Sequence, residues 1–103
     1  MSLHPENTAR GILRTWSLEA TSARGIKLRK LVANELGKFC SVEGDYLVVV
    51  GDISWKESPD LFRATTIELP PNLKVKGGIN FRNFISLMHL KSVNLQCDGD
   101  FIV

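Results

Sequence analysis

Few side chains in this sequence carry chemistry, and their spacing limits what that chemistry is. Cys40 and Cys97 are the only cysteines, and His4 and His89 the only histidines. No CxxC pair and no Cys/His cluster occurs, so the spacing of a metal site is missing. Gly44-Asp45, Gly51-Asp52 and Gly99-Asp100 have the residue types of calcium-binding glycine-aspartate coils. Such sites need several oxygen ligands per turn, and Asp45, Asp52, Asp98 and Asp100 are too sparse to supply them. Gly77-Gly78 is followed by Ile79-Asn80-Phe81 instead of Lys and Ser or Thr, which reads as a bend and not a phosphate loop. His89 lies between Met88 and Leu90, the setting of a packed or rim histidine. No acid–base pair or activated nucleophile can be assembled, so neither enzyme activity nor a cofactor is expected.

Trp16, Trp55, Phe62, Phe81 and Phe84 are of the types that stack nucleic-acid bases. The basic side chains concentrate in residues 1–38: Arg10, Arg14, Arg24, Lys27, Arg29, Lys30 and Lys38 against Glu6, Glu19 and Glu35, a net charge of +4. The remainder carries −2. The N-terminal part can therefore present either a solvated helix face or a surface for an acidic partner. If nucleic acid is bound, Arg24, Lys27, Arg29 and Lys30 form the candidate face.

The elements that position these residues emerge when the C-terminal two thirds is compared with itself. Three segments align without gaps: Leu47 to Trp55, Leu73 to Phe81 and Leu95 to Val103, whose starts are 26 and 22 residues apart. The common pattern is Leu-x-(Val/Cys)-x-Gly-(Asp/Gly)-(Ile/Phe)-x-apolar, with Asn72 and Asn94 just before the second and third leucines. Apolar residues at alternate positions predict a strand with one buried face. The central glycines, Gly51, Gly77 and Gly99, stand at an inward position, which predicts a bend or the close approach of another backbone. Ser58-Pro59-Asp60 predicts a turn, and Ile67 to Pro71 and Leu87 to Leu90 supply apolar residues for a further side. Trp55 and Phe81 hold equivalent places, which favours the core, and Cys97 stands where Val49 and Val75 do, as a small buried hydrophobe. Cys40 reads the same way, with a disulfide as the alternative.

The run Leu69-Pro-Pro-Asn-Leu73-Lys-Val75-Lys-Gly77-Gly-Ile79-Asn-Phe81 resembles the LPxNLxVxGxLxL form of bacterial leucine-rich-repeat-like proteins. The resemblance covers about residues 45–103 and implies a stacked-repeat β-solenoid, each coil burying its apolar face on the next. Glycine stands near the place of the ladder asparagine of standard leucine-rich repeats, which favours a flatter coil than a horseshoe. Bacterial effectors of this class are similar in having a helical hairpin before the repeats.

Upstream, Ala9, Ile12, Leu13 and Trp16 fall at helical spacing after Asn7 or Thr8, either of which is a suitable N-cap. A second helix is predicted from about Thr21 or Ser22 to Gly37, with Leu28, Leu31, Val32, Glu35, Leu36 and Phe39 on one arc. The fold class expected is α+β in a single domain, 1–103: a helical cap (1–39) on a three-copy β-repeat region (40–103). The alternative is helices packed on an antiparallel sheet, with Gly44-Asp45 as a hairpin turn. Helices ahead of the first copy would cover its apolar end and strand edge.

With 103 residues, 44% hydrophobic and a net charge of +2, the chain is not disordered. No stretch approaches the roughly 20 apolar residues of a membrane span. The start lacks a basic then apolar leader, so a cytoplasmic protein is expected, with specialised export the other possibility. The function class expected is a protein-interaction module. Its candidate face consists of the outward residues Val48, Val50, Ser54, Lys74, Lys76, Asn80, Gln96 and Asp98, flanked by Asp52 and Asp100. Residues 91–103 stop inside the third copy, so either the sequence is a piece of a longer array or these residues pair with a second copy of the chain, the outcome expected here.

Overall fold

A computed structural model describes residues 8–55 and 58–102. Asn7 as a cap, His4 and Val103 lie outside the described residues. The helix α1 spans Ala9–Leu18, and the Thr8 side chain accepts a hydrogen bond from Gly11 N at 3.0 Å. The helix α2 spans Ala23–Gly37, and the Ser22 side chain accepts from Gly25 N at the same distance. Each oxygen satisfies one of the N–H groups that a helix start leaves without a partner. Leu13 and Trp16 from α1 and Val32 and Leu36 from α2 are buried, and Leu28 and Leu31 are half-buried. Phe39 departs from the predicted arc and is exposed. The helix has ended before it, and its carbonyl accepts from Val50 N. The helical period therefore no longer sets its direction.

Among the described residues eight short strands follow: β1 (Cys40–Glu43), β2 (Tyr46–Val49), β3 (Thr66–Glu68), β4 (Leu73–Val75), β5 (Ile79–Asn80), β6 (His89–Lys91), β7 (Gln96–Cys97) and β8 (Phe101–Ile102). Ser58-Pro59-Asp60 leads into a single helical turn, α3 (Pro59–Phe62). The fold is α+β, with two N-terminal helices and a small mixed sheet in the order β1-β2-β4-β7, beside the pairs β3-β6 and β5-β8. Among the described strands only β1 and β2 pair antiparallel, through a turn in which Gly44 has φ 62°. The other ladders are parallel, so the sheet is mixed and not plainly antiparallel.

The parallel register matches the sequence alignment position by position. Leu47 lies opposite Leu73, Val49 opposite Val75, and Val75 opposite Cys97. Beyond the glycines, Ile53 bridges Ile79, and Ile79 lies opposite Phe101. On a third side, Ile67 lies opposite Leu90. Leu47 and Leu73 are buried, and Leu95 packs half-buried against the same core. Trp55 and Phe81 lie with ring centroids 5.4 Å apart, and Phe81 stacks on Phe84 at 4.7 Å. Burying side chains of this size stabilises the fold by about 1.5–3 kcal/mol each. The edge of β2 is covered by β1 and not by a helix, while α2 contacts β3 and α3.

Two backbone features fix this register. A Cβ on Gly77 would lie 2.4 Å from the Gly51 carbonyl oxygen, and one on Gly99 would lie 2.8 Å from Gly78 N. Successive segments thus touch backbone to backbone where a side chain would stand. Gly51 has open space around it and needs glycine instead for its φ of 118°. Asn72 and Asn94 both adopt left-handed backbone, at φ 56° and 60°, and Asn94 Nδ2 donates to Asn72 Oδ1 at 2.9 Å. Asparagine tolerates this region better than other residues with a side chain.

Gly77→Ala is expected to destabilise the fold by about 2 kcal/mol or more, because the obstruction is backbone and cannot swing aside. Urea unfolding followed by circular dichroism measures this. A loss below about 0.5 kcal/mol would show that the segments do not meet there.

Candidate protein-binding face

The expected interaction residues fall into rows across the ladders. Val48, Lys74 and Gln96 are in register on β2, β4 and β7. Val50, Lys76 and Asp98 follow at the ends of the same strands. Ser54 and Asn80 lie on a separate ladder beyond the glycines, where they line a groove of about 450 Å³ with Asp52, Gly77, Gly78 and Asp100. The expected single face is therefore two surfaces, parted by the bend at the glycines.

Val48 is a correction. It was expected to face outward, but its exposure is 1%. Its strand is interior to the sheet, with Ser41 on one side and Lys74 on the other. Tyr46 shares its face of β2, and the Tyr46 hydroxyl reaches Asn94 Nδ2 at 3.3 Å and Gln96 Nε2 at 3.4 Å. Because β4 lies between β2 and β7, the phenol spans the outer surface of the sheet. Alternation gave the side on which Val48 lies but not the cover over it.

The remaining face residues are accessible to different degrees. Val50, Lys76, Gln96 and Asp98 are exposed, while Ser54, Lys74 and Asn80 are half-buried. Lys76 Nζ lies 4.0 Å from Glu43 Oε2, a solvated pair of little energetic weight. Asn80 Oδ1 accepts from Arg82 N at 2.9 Å, and Asp52 Oδ1 accepts from Gly78 N at 2.7 Å. These two side chains serve the backbone first, which limits what they can offer a partner.

The alternative basic set does not share one surface. Arg24, Lys27 and Lys30 are exposed, but Arg29 is committed internally. Its Nε and Nη2 donate to Glu68 Oε2 at 3.0 and 2.7 Å, and its Nη1 donates to the Trp16 carbonyl at 2.8 Å. The guanidinium also lies 5.0 Å from the centre of the Trp16 ring. Arg29 thus ties α2 to the end of α1 and to β3, a role that a count of charges does not reveal. Arg24 lines a small groove with Thr66 and Glu68, whereas Lys30 faces α1. There it meets Arg10 and Arg14, which sequence reasoning did not place in any site. Their spacing of four on the side of α1 away from Trp16 was the available signal.

Of the aromatic residues, Trp16, Trp55, Phe81 and Phe84 are buried in the core, and Phe62 is half-buried beneath Arg63. Cys40 and Cys97 are both free thiols and half-buried. Burial pushes the Cys40 thiol up, outweighing a backbone hydrogen bond from Val48. Among the described residues no group of three or more His, Cys, Asp or Glu is placed to hold a metal ion. No helix among them is long and apolar enough to cross a membrane. No family model, curated protein or solved structure matches the chain.

Two measurements check this geometry. Arg29→Ala is expected to cost about 2 kcal/mol, since it removes hydrogen bonds to a carboxylate and a carbonyl together with a cation–π contact. A double-mutant cycle with Glu68→Gln is expected to give a coupling of about 1 kcal/mol, and additive losses would place the two groups apart. A raised pKa leaves Cys40 with less thiolate than free cysteine at pH 8, so it is expected to react more slowly with iodoacetamide. Mass spectrometry of the alkylated chain over time measures that rate.

Proposed function

We propose that the chain is a non-enzymatic protein–protein interaction module: a short stacked-repeat β-solenoid of the bacterial leucine-rich-repeat-like type, covered at its first coil by the helical pair together with β1. The position-by-position parallel pairing of the three segments supports the stacked-repeat reading, because neighbouring coils of such folds pair in this way. The observation that carries the function lies at the third segment. Within the described residues β6, β7 and β8 each pair along one edge only. The same end carries Ile85, Met88, Val93 and Phe101, at 92%, 75%, 67% and 43% exposure. An accessible strand edge beside exposed apolar side chains is a template for a further strand.

In this reading the occupant is a second copy of the chain, paired through residues 91–103. Lys76 lies in register with Asp98 at the strand ends, and Lys74 with Gln96 in the row before, which gives the adjoining surface a mixed polar character that suits a protein partner. Binding of nucleic acid through Arg24, Lys27, Arg29 and Lys30 has less support, since Arg29 is engaged by Glu68 and Trp16.

Sedimentation of the protein over a range of concentrations tests the proposal, with dimers or larger species expected at high concentration. Val93→Lys combined with Phe101→Lys places charges on the open edge and is expected to shift the equilibrium to monomer by tenfold or more. A monomer at every concentration, or assembly that the double variant leaves unchanged, would overturn self-pairing.

A further inference from the structure

The two helices are joined by residues 19–22 alone and fold back on each other, leaving a groove of about 520 Å³ between them on the outside of the molecule. Arg10 and Arg14 line it from α1, and Lys30, Asn34 and Lys38 line it from α2. Its floor includes Ala33 and Gly37, so the wall of α2 is low and the groove stays open. No aspartate or glutamate lines it. Lys38 has a partner in Glu35 at 3.2 Å. Arg10, Arg14 and Lys30 have no ion-pair partner among the described residues.

Three features narrow the ligand. Arg10, Arg14 and Lys30, with no ion-pair partner among the described residues, raise the local potential and draw in anions. Arg10 and Arg14 stand one helical turn apart, about 6 Å, and Lys30 and Lys38 about 12 Å, at roughly 1.5 Å per residue. One small anion cannot meet all four, whereas a chain or ring carrying several phosphoryl groups can. Guanidinium forks match phosphate oxygens, and Asn34 adds a neutral donor. No aromatic side chain lines the groove, so a base would find nothing to stack on. Its volume falls within the roughly 300–1,000 Å³ of small-molecule sites.

We infer that the groove between α1 and α2 binds an oligophosphate, free or carried as the multiply phosphorylated headgroup of a lipid. Arg10, Arg14 and Lys30 supply the charge, and Asn34 the neutral contact. The site is separate from the strand edge of the preceding section and stands whether or not that edge pairs.

Titration calorimetry of the full chain with inorganic tripolyphosphate at low salt tests the inference. Binding is expected, and it is expected to weaken as salt is added. Arg14→Gln with Lys30→Gln should reduce affinity tenfold or more. Arg63→Gln with Arg82→Gln removes the same charge from exposed positions elsewhere and should change it less than twofold. Circular dichroism checks that both double variants are folded. Co-sedimentation with phosphatidylcholine vesicles containing a bisphosphorylated inositol lipid separates the sources. Capture that the groove variant abolishes assigns the phosphates to a lipid, and binding of tripolyphosphate without capture assigns them to a free anion. No binding of either probe, or equal losses in the two variants, would overturn the inference.

Discussion

The fold depends on one contact, the meeting of bare backbone at Gly51, Gly77 and Gly99. With a Cβ on Gly77 only 2.4 Å from the Gly51 carbonyl oxygen, these chains lie closer than any side chain permits. That closeness lets Lys76 N donate to Val49 O, and Gly99 N to Gly77 O, at 2.8 and 3.0 Å. It also holds the ladders on either side of the bend in one register, so that Leu47 meets Leu73 and Ile53 meets Ile79. In a parallel ladder a slip of one residue would turn every inward leucine outward. The apolar core is thus a result of the alignment as much as its cause.

The helices are held by different means. Leu13, Trp16, Val32 and Leu36 join the same apolar cluster as the strands. Apolar contact alone allows sliding, because it has no preferred direction. Arg29 removes that freedom by fastening α2 to Glu68 on β3 and to the last turn of α1. With one side of α2 occupied in this way, Lys30 is left on the other side, facing Arg10 and Arg14.

Much of the strand arrangement was legible in the sequence, because the repeated pattern encodes alternation and register together. The column Leu47, Leu73 and Leu95 and the glycine contact follow from it, whereas the pattern gave a further apolar side at Ile67 and Leu90 without their register. The Ser22 cap and the Gly44-Asp45 hairpin followed from local backbone preference alone. What alternation cannot tell is what lies over a strand. Val48 was read as outward and is covered on an interior strand, and Phe39 was read as buried because the helical period was carried past the end of the helix. The candidate site was legible in part. Rows of outward residues could be counted, but their division by the bend could not, nor could the ion pair that removes Arg29 from the basic set. Both depend on residues distant in sequence: Arg29 and Glu68 are separated by 39 positions.

The two tryptophans sit at different joints of the molecule. Trp16 lies beneath the Arg29 guanidinium where the helices meet, and Trp55 lies against Phe81 in the strand region. A cation above one indole and a phenyl ring beside the other give them distinct optical surroundings. The chain thus carries two intrinsic fluorescent reporters, one for the docking of the helices and one for the integrity of the ladders. With either indole replaced by phenylalanine, the emission of the other would follow its own joint through unfolding, without an added label.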